Sequence, residues 1–529
     1  MEHLERVNIL WFRNGLRFHD NGSLHNVIKN TEAKLLPLFI FDGETPVTKL
    51  CKYNKIAFLL ECLHDLNEQL KEVGAQLYAM KGNPTDVFRI LSKKFCIERL
   101  CFDQDCEPIW LERDNSVKNF CASHKIEVME NIGATLWDPL EIIEANGGSP
   151  PLTYSQFCHV TDGIGEPKRP YDDVDLSTIQ FVHLTEAVMI ELKCHPSVPT
   201  PEHLGFVHQG ETKVYKGGER KALVFFQRRI KYEKEAFMDG SFLPNRSDPD
   251  ILNPPKSLSP DFKFGCLSVR KFYWAIMDEF NEVNEGNPAP NFTIVSQIIW
   301  REFFYAMSAN NPFYGEIKRN PICINVPWYH EDKLLRCFLD GKTGYPFIDA
   351  GIVQLKQEGW IHHIIRNALS MFLTRGDLWL SWEHGLNLFL SYLIDADWAI
   401  CAGNWMWVSS SAFEKALNCS FSLDPRVYGR RVDPHGDYIK RYLPVLKDYP
   451  VDYVYAPWTA PLDVQKAAGC IIGKDYPEPI VDHDEVSQKN RQVMSDLQNN
   501  LLTSLKTMPK HIRPSDANEV KSFFRISND

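Results

Sequence analysis

Short apolar runs alternate with longer amphipathic ones over the first 130 residues of the chain. The runs Val7–Phe12, Leu35–Phe41, Gln76–Met80, Arg99–Phe102 and Glu127–Glu130 predict strands. Between them, apolar residues recur at intervals of three and four over Tyr53–Val73, Pro84–Phe95 and Ile109–His124, which predicts helices. Strand–helix–strand repetition of this kind implies a parallel sheet with helices on both faces. No GxGxxG or P-loop follows the first strand, so the pattern by itself names no nucleotide.

From residue 133 to 210 the periodicity gives way to sequence punctuated by proline and glycine, including Gly147-Gly148-Ser149-Pro150-Pro151. This reads as an ordered connector. Helical periodicity then runs through 211–505 with dense aromatic residues, predicting a large all-α domain. A last segment, 506–529, is set off by Pro509 and Pro514. The organisation is therefore an α/β domain over 1–132, a connector, a helical domain and a short tail.

Composition narrows the function. A net charge of −11 argues against a strong, sequence-blind grip on a nucleic-acid backbone. The 14 cysteines include no CxxC pair and no zinc-spaced Cys/His cluster, which predicts reduced thiols in the cytosol or nucleus. The apolar run Leu35–Phe41 is too short for a bilayer and contains Pro37, and no signal pattern opens the chain, so no membrane segment is expected.

Candidate chemistry concentrates after residue 360. Taken as a helix, Trp360–Phe372 sets an apolar stripe against a polar one, His363, Arg366, Asn367 and Ser370. A solvated face is the plain reading of such a stripe. Five of the 13 tryptophans follow closely: Trp379, Trp382, Trp398, Trp405 and Trp407. Such a cluster ordinarily means core packing. Asp395 and Asp397 lie within the same apolar stretch and must be paired or hydrogen-bonded if buried, with Arg366 the natural partner for one. A buried Arg–Asp pair beside indoles points to a polar aromatic ligand whose identity the spacing leaves open.

These segments resemble the photolyase–cryptochrome superfamily over Val7 to Leu502. The resemblance rests on Trp11-Phe12-Arg13-Asn14-Gly15-Leu16-Arg17, Leu136-Trp137-Asp138-Pro139, Phe264-Gly265-Cys266-Leu267-Ser268 and Trp300-Arg301-Glu302-Phe303-Phe304-Tyr305. It is completed by Gly344-Tyr345-Pro346-Phe347-Ile348-Asp349, Asp395-Ala396-Asp397-Trp398 and Gly403-Asn404-Trp405-Met406-Trp407. The chain is most similar to the animal light-sensing (type I, Drosophila-type) cryptochromes.

The resemblance implies a Rossmann-like photolyase-type domain followed by an all-helical domain holding a U-shaped FAD. Arg229, Ser257 and Gln297 match the diphosphate and ribityl contacts, although Ser257 also reads as a helix N-cap. Leu258, Ser259, Trp300 and Asn404 complete the implied cofactor set. Asp395 and Asp397 match the residues on ribose and flavin ring, with Arg366 holding Asp395 as a fork–fork pair and His363 at the pocket mouth. An electron relay is implied in the order Trp405, Trp382, Trp328, then Trp379 near the surface. Trp379 and Trp382, at i and i+3, are expected to share a helix face.

Three features distinguish signalling from repair. Cys401 stands where repair enzymes carry Asn facing flavin N5; a neutral thiol is a weak partner for a protonated N5, which implies an anionic flavin radical in the light. The plain reading of Cys401 is a small core residue. The second lesion-binding histidine of (6-4) photolyases is replaced by Asn367, which cannot donate a proton at neutral pH. Finally, Phe523-Phe524-Arg525 stands where light-sensing relatives carry a Phe-Phe-Trp tail that enters the cleft, and Ser515-Asp516 before it reads as a helix cap.

The resemblance thus implies a blue-light receptor without DNA repair, acting in circadian light input. Clock proteins and ubiquitin-ligase adaptors are the implied partners, in cytoplasm and nucleus. The alternatives are a light-dependent DNA photolyase and a light-independent transcriptional-repressor cryptochrome.

Overall fold

A computed structural model describes residues 4–43, 51–240, 250–255, 257–284, 294–413 and 422–507. Five strands, β1 (Arg6–Phe12), β2 (Lys34–Phe41), β3 (Tyr78–Lys81), β4 (Cys96–Asp103) and β5 (Glu127–Asn131), form one sheet in the order β3-β2-β1-β4-β5. Every pairing is parallel, with Trp11 opposite Leu38 and Ile9 opposite Leu100. Central β1 is buried from Val7 to Phe12 because helices cover both faces, so its residues are almost all apolar without alternation.

The sheet's helices are α1 (Gly22–Ile28), α2 (Tyr53–Glu72), α3 (Pro84–Leu91) and α4 (Pro108–His124). α3 ends four residues before the expected Phe95. Residues 92–95 form the tight turn that returns the chain to β4, with Lys94 and Phe95 amides bonded to the Leu91 carbonyl. Within 133–210 lie α5 (Pro139–Ala145), α6 (Tyr154–Ile164) and α7 (Glu186–Glu191).

The helical part runs through α8 (Glu219–Met238), α9 (Ser259–Phe264), α10 (Val269–Asn284), α11 (Ile294–Ser308), α12 (Asp332–Asp340) and α13 (Pro346–Glu358). It continues with α14 (His363–Met371), α15 (Trp382–Tyr392), α16 (Trp398–Val408), α17 (Pro425–Val432), α18 (Asp437–Tyr442), α19 (Leu462–Ala467) and α20 (His483–Thr507). Among the described residues, no helix is long and apolar enough to cross a membrane.

Buried polar contacts join the two parts. The Arg17 guanidinium donates to the carbonyls of Gly265, His19, Asp20 and Gly133, and Glu302 accepts from the Leu136 amide. Asp20 is bonded to Arg270 at 3.0 Å, and His19 to Glu219 at 2.5 Å. The motif residues Arg17, Leu136 and Glu302 are thus positions where the loops beyond the sheet meet the helices.

Two expected helical placements differ. The helix expected from Trp360 begins at His363, because His362 has extended backbone and caps the first turn by accepting from the Ile364 amide. Trp360 and Ile361 are buried in the extended segment before it. Trp379 and Trp382 share no helix. Trp379 has a left-handed backbone (φ 54°), Leu380 bridges to Tyr329, and α15 starts only at Trp382.

Candidate functional site

The carboxylates expected to matter flank the start of α16. Asp397 is its N-cap, accepting from the Ile400 amide at 3.2 Å. Its other oxygen accepts from the Tyr305 hydroxyl at 2.5 Å and lies 3.8 Å from the Lys263 ammonium. Burial alone would raise the Asp397 pKa, but the charges of Lys263 and Arg301 hold it below the usual carboxylate value. The partners Lys263, Arg301 and Tyr305 were not among the predicted site residues. Their signal was faint, although Arg301 and Tyr305 stand one turn apart within a motif already singled out.

Asp395 meets a different set. Its Oδ2 accepts from the Ser259 hydroxyl at 2.6 Å and from Arg366 Nη2 at 2.8 Å. The Arg–Asp pair is as expected, but it is a single bond rather than a fork–fork pair. Arg366 Nε is committed to the Ile361 carbonyl at 2.9 Å, and Asp395 Oδ1 is buried with no hydrogen-bond partner. Ser257 does not occupy the N-cap of α9, which is Leu258; its hydroxyl instead accepts from the Ser259 amide at 3.2 Å and donates to the Ser259 hydroxyl. Ser257, Ser259, Asp395 and Arg366 therefore form one bonded chain linking α9 to α14. An unpaired buried carboxylate oxygen costs free energy unless a ligand donor meets it. A ribose hydroxyl or a ring N–H supplies such a donor, so the residues fit the FAD that the resemblance implied.

Cys401, one turn into α16, is buried. Burial, reinforced by the Asp395 charge, pushes its thiol up to about 12, so it is neutral. His363 is exposed, as is Asn367 one turn on. The His362 and His363 rings lie 4.2 Å apart, and burial lowers the pKa of both.

The remaining predicted residues make contacts of their own. Arg229 is bonded to Glu233 within α8, Gln297 is exposed in the first turn of α11, and Asn404 is exposed with its amide bonded to the Ile400 carbonyl. The Trp300 ring packs on Tyr154 at 4.3 Å and edge-on to Trp407 at 4.7 Å. Phe523 and Phe524 lie outside the described residues.

The four tryptophans that the resemblance puts in a relay are all buried, at 1% exposure for Trp405, 0% for Trp382, 7% for Trp328 and 1% for Trp379. Trp379, expected near the surface, is itself buried and its ring lies 6.4 Å from that of Tyr329, which is 42% exposed. The Trp328 and Trp379 rings are 5.1 Å apart. The Trp405 indole lies against Gly385, where an added Cβ would fall 2.0 Å from the ring. Gly385 is one turn beyond Trp382 in α15, so the absence of a side chain brings these two indoles to the same stretch of helix.

A family model described as the FAD-binding domain of DNA photolyase matches residues 293–496, and one described as DNA photolyase matches 8–171. The Cryptochrome-1 of Aedes aegypti is 47% identical over 99% of this chain and 98% of its own length. That of Drosophila melanogaster is 44% identical over the same shares. The chain belongs to the cryptochrome family. Cryptochrome-1 of Gallus gallus is 40% identical over 92% of this cryptochrome and 77% of its own length. Among solved structures, a Synechocystis cryptochrome (TM-score 0.77, 21% identity, 93% of this chain and 100% of that one) shares the fold. So does a class III photolyase from Agrobacterium tumefaciens (TM-score 0.73, 24% identity, 94% and 99%). The helical part of this cryptochrome is thus an FAD-binding domain, and the Asp395 and Asp397 clusters both lie within it.

Proposed function

We infer that this cryptochrome is a blue-light receptor in which light moves an electron to FAD along Trp405, Trp382, Trp328 and Trp379. The observation that supports the reading is that all four indoles are buried in the FAD-binding domain, with the neutral Cys401 thiol within electrostatic reach of both Asp395 and Asp397. Bound FAD supplies a blue-absorbing electron acceptor. Asp395, Ser259 and Arg366 orient it, and Cys401 presents no ready proton. The resulting negative charge in the pocket raises the pKa of His363 at the mouth. That change loosens the tail carrying Phe523 and Phe524 and alters partner binding.

By analogy with the family, the partners are clock proteins and ubiquitin-ligase adaptors, in cytoplasm and nucleus. Asn367, unable to donate a proton at neutral pH, favours signalling over DNA repair.

Absorbance spectra of dark-purified protein before and after blue light test the reading. The oxidised flavin bands should fade in light and return in darkness. Trp405→Phe should keep FAD but slow the fading severely, and Trp379→Phe should act more mildly. Parental photoreduction in Trp405→Phe at equal FAD content would remove the relay. Proteolysis after Thr507 that is equally fast in light and dark, with the flavin reduced, would remove the tail step.

A further inference from the structure

Among the described residues, α8 carries four exposed large apolar side chains, Val224, Phe225, Tyr232 and Met238, at 46%, 38%, 56% and 68% exposure. No other described α-helix carries more than one. Single exposed apolar residues are ordinary on a surface. These four are not scattered: Val224, Arg228, Lys231, Glu235 and Met238 follow at steps of four and three, and Lys221, Phe225, Arg228 and Tyr232 do so alongside, so they share one face. The other face of α8 meets the fold, with Phe226 and Phe237 buried against Phe272 and Phe280 of α10. The helix is thus apolar on two sides and packed on one.

The outward face is also positive. Lys221 Nζ lies 5.3 Å and the Arg228 guanidinium 5.8 Å from the centre of the Phe225 ring, and neither has a carboxylate partner among the described residues. Elsewhere on α8 the cations are matched: Arg220 meets Asp65, Arg229 meets Glu233 and Lys234 meets Glu279. Unpaired positive charge on this helix is therefore confined to the apolar face, in a chain whose net charge is −11.

We propose that this face of α8 docks an acidic amphipathic helix of a partner protein. From residue 221 to 238 the face runs about 26 Å, the length of a helix of about five turns. Apolar residues of such a helix at i, i+3, i+4 and i+7 cover Phe225, Tyr232 and Met238, and carboxylates beside them meet Lys221 and Arg228. An anionic bilayer or a nucleic acid offers negative charge too, but it repels a chain of net charge −11 as a whole. An acidic helix places its charge only where the cations stand, and so gains from complementarity without that penalty. The site rests on neither the photochemistry nor the residues matched to FAD, of which α8 holds only Arg229.

The probe is a fluorescein-labelled peptide of about 18 residues with leucines at helical spacing flanked by glutamates. Its binding to the full FAD-loaded chain is read by fluorescence anisotropy in darkness. The parent should bind it at least about tenfold more tightly than a scrambled peptide of the same composition, or than one with lysine in place of each glutamate. Hydrogen exchange should slow over 221–238 on binding. Phe225→Ser with Tyr232→Ser should weaken the acidic peptide about tenfold. Lys221→Glu with Arg228→Glu should turn the preference towards the lysine peptide, at unchanged FAD content. No binding of the acidic peptide, equal binding of the scrambled one, or a charge preference that survives the Lys221→Glu, Arg228→Glu exchange would overturn the proposal. Binding of phosphatidylserine vesicles that this exchange abolishes, with the acidic peptide ignored, would overturn it in favour of a membrane contact.

Discussion

Arg366 donates to only one oxygen of Asp395, at 2.8 Å, and leaves the other buried and unpaired. The ion pair therefore leaves one carboxylate oxygen for a ligand donor to meet. Arg366→Met strands a carboxylate whose side chain is 3% exposed. Removing one partner of a buried pair costs about 3–5 kcal/mol. Arg366 keeps 24% of its side chain exposed, so about 2–3 kcal/mol is expected after screening. Asp395→Asn should cost less stability, because Ser259 retains an acceptor, and both variants should lose FAD. Urea unfolding and flavin content of both variants check this; equal stability loss would show that the charge pairing is not what matters.

Gly385→Ala would place its Cβ 2.0 Å from the Trp405 ring. Overpacking of this kind costs about 1–3 kcal/mol. The expected outcome is a lowered Tm together with slower flavin photoreduction, because the indole must shift. A variant with parental melting and parental photoreduction would contradict the close contact.

Cys401 offers the pocket a thiol held neutral up to about pH 12. Cys401→Asn puts a hydrogen-bond acceptor in its place. Spectra after blue light should then gain the broad red absorption of a protonated flavin product, which the parent should not show. The same product in both proteins would exclude position 401 as the determinant.

His362 predicts a pH dependence of stability. Burial, with the neighbouring His363 and Arg366, lowers its pKa from 6.5 to about 4. Between those values the unfolded chain binds a proton at His362 and the folded chain does not. Stability therefore falls as pH falls through that window, by at most about 1.4 kcal/mol per pH unit. His362→Gln should flatten the slope of denaturation midpoint against pH between 6.5 and 4; an unchanged slope would show that His362 titrates alike in both states.

The sheet was legible because β1 and β2 are covered on both faces and read as unbroken apolar runs. The Arg366–Asp395 pair was legible because a charge in an apolar stretch demands a partner. The helix expected from Trp360 came out too long for a related reason. Trp360 and Ile361 are buried like helix residues, and apolar periodicity does not register that His362 is extended. The i, i+3 spacing of Trp379 and Trp382 misled in the same way, since spacing carries no backbone angle and Trp379 is left-handed. Lys263 and Tyr305 escaped because their partner, Asp397, is more than 90 residues away in sequence.

Asn490 in α20 donates its amide to the carbonyls of both Gly376 and Asp377, and His483, at the head of the same helix, is bonded to the Asp377 carboxylate at 2.6 Å. Gly376 and Asp377 belong to the short span between α14, which carries Arg366, and Trp379. The opening turns of α20 are thus riveted to the stretch of backbone that connects Arg366 with Trp379. A swing of α20 as a whole would have to break all three of these contacts, so the head of the helix moves only together with that backbone.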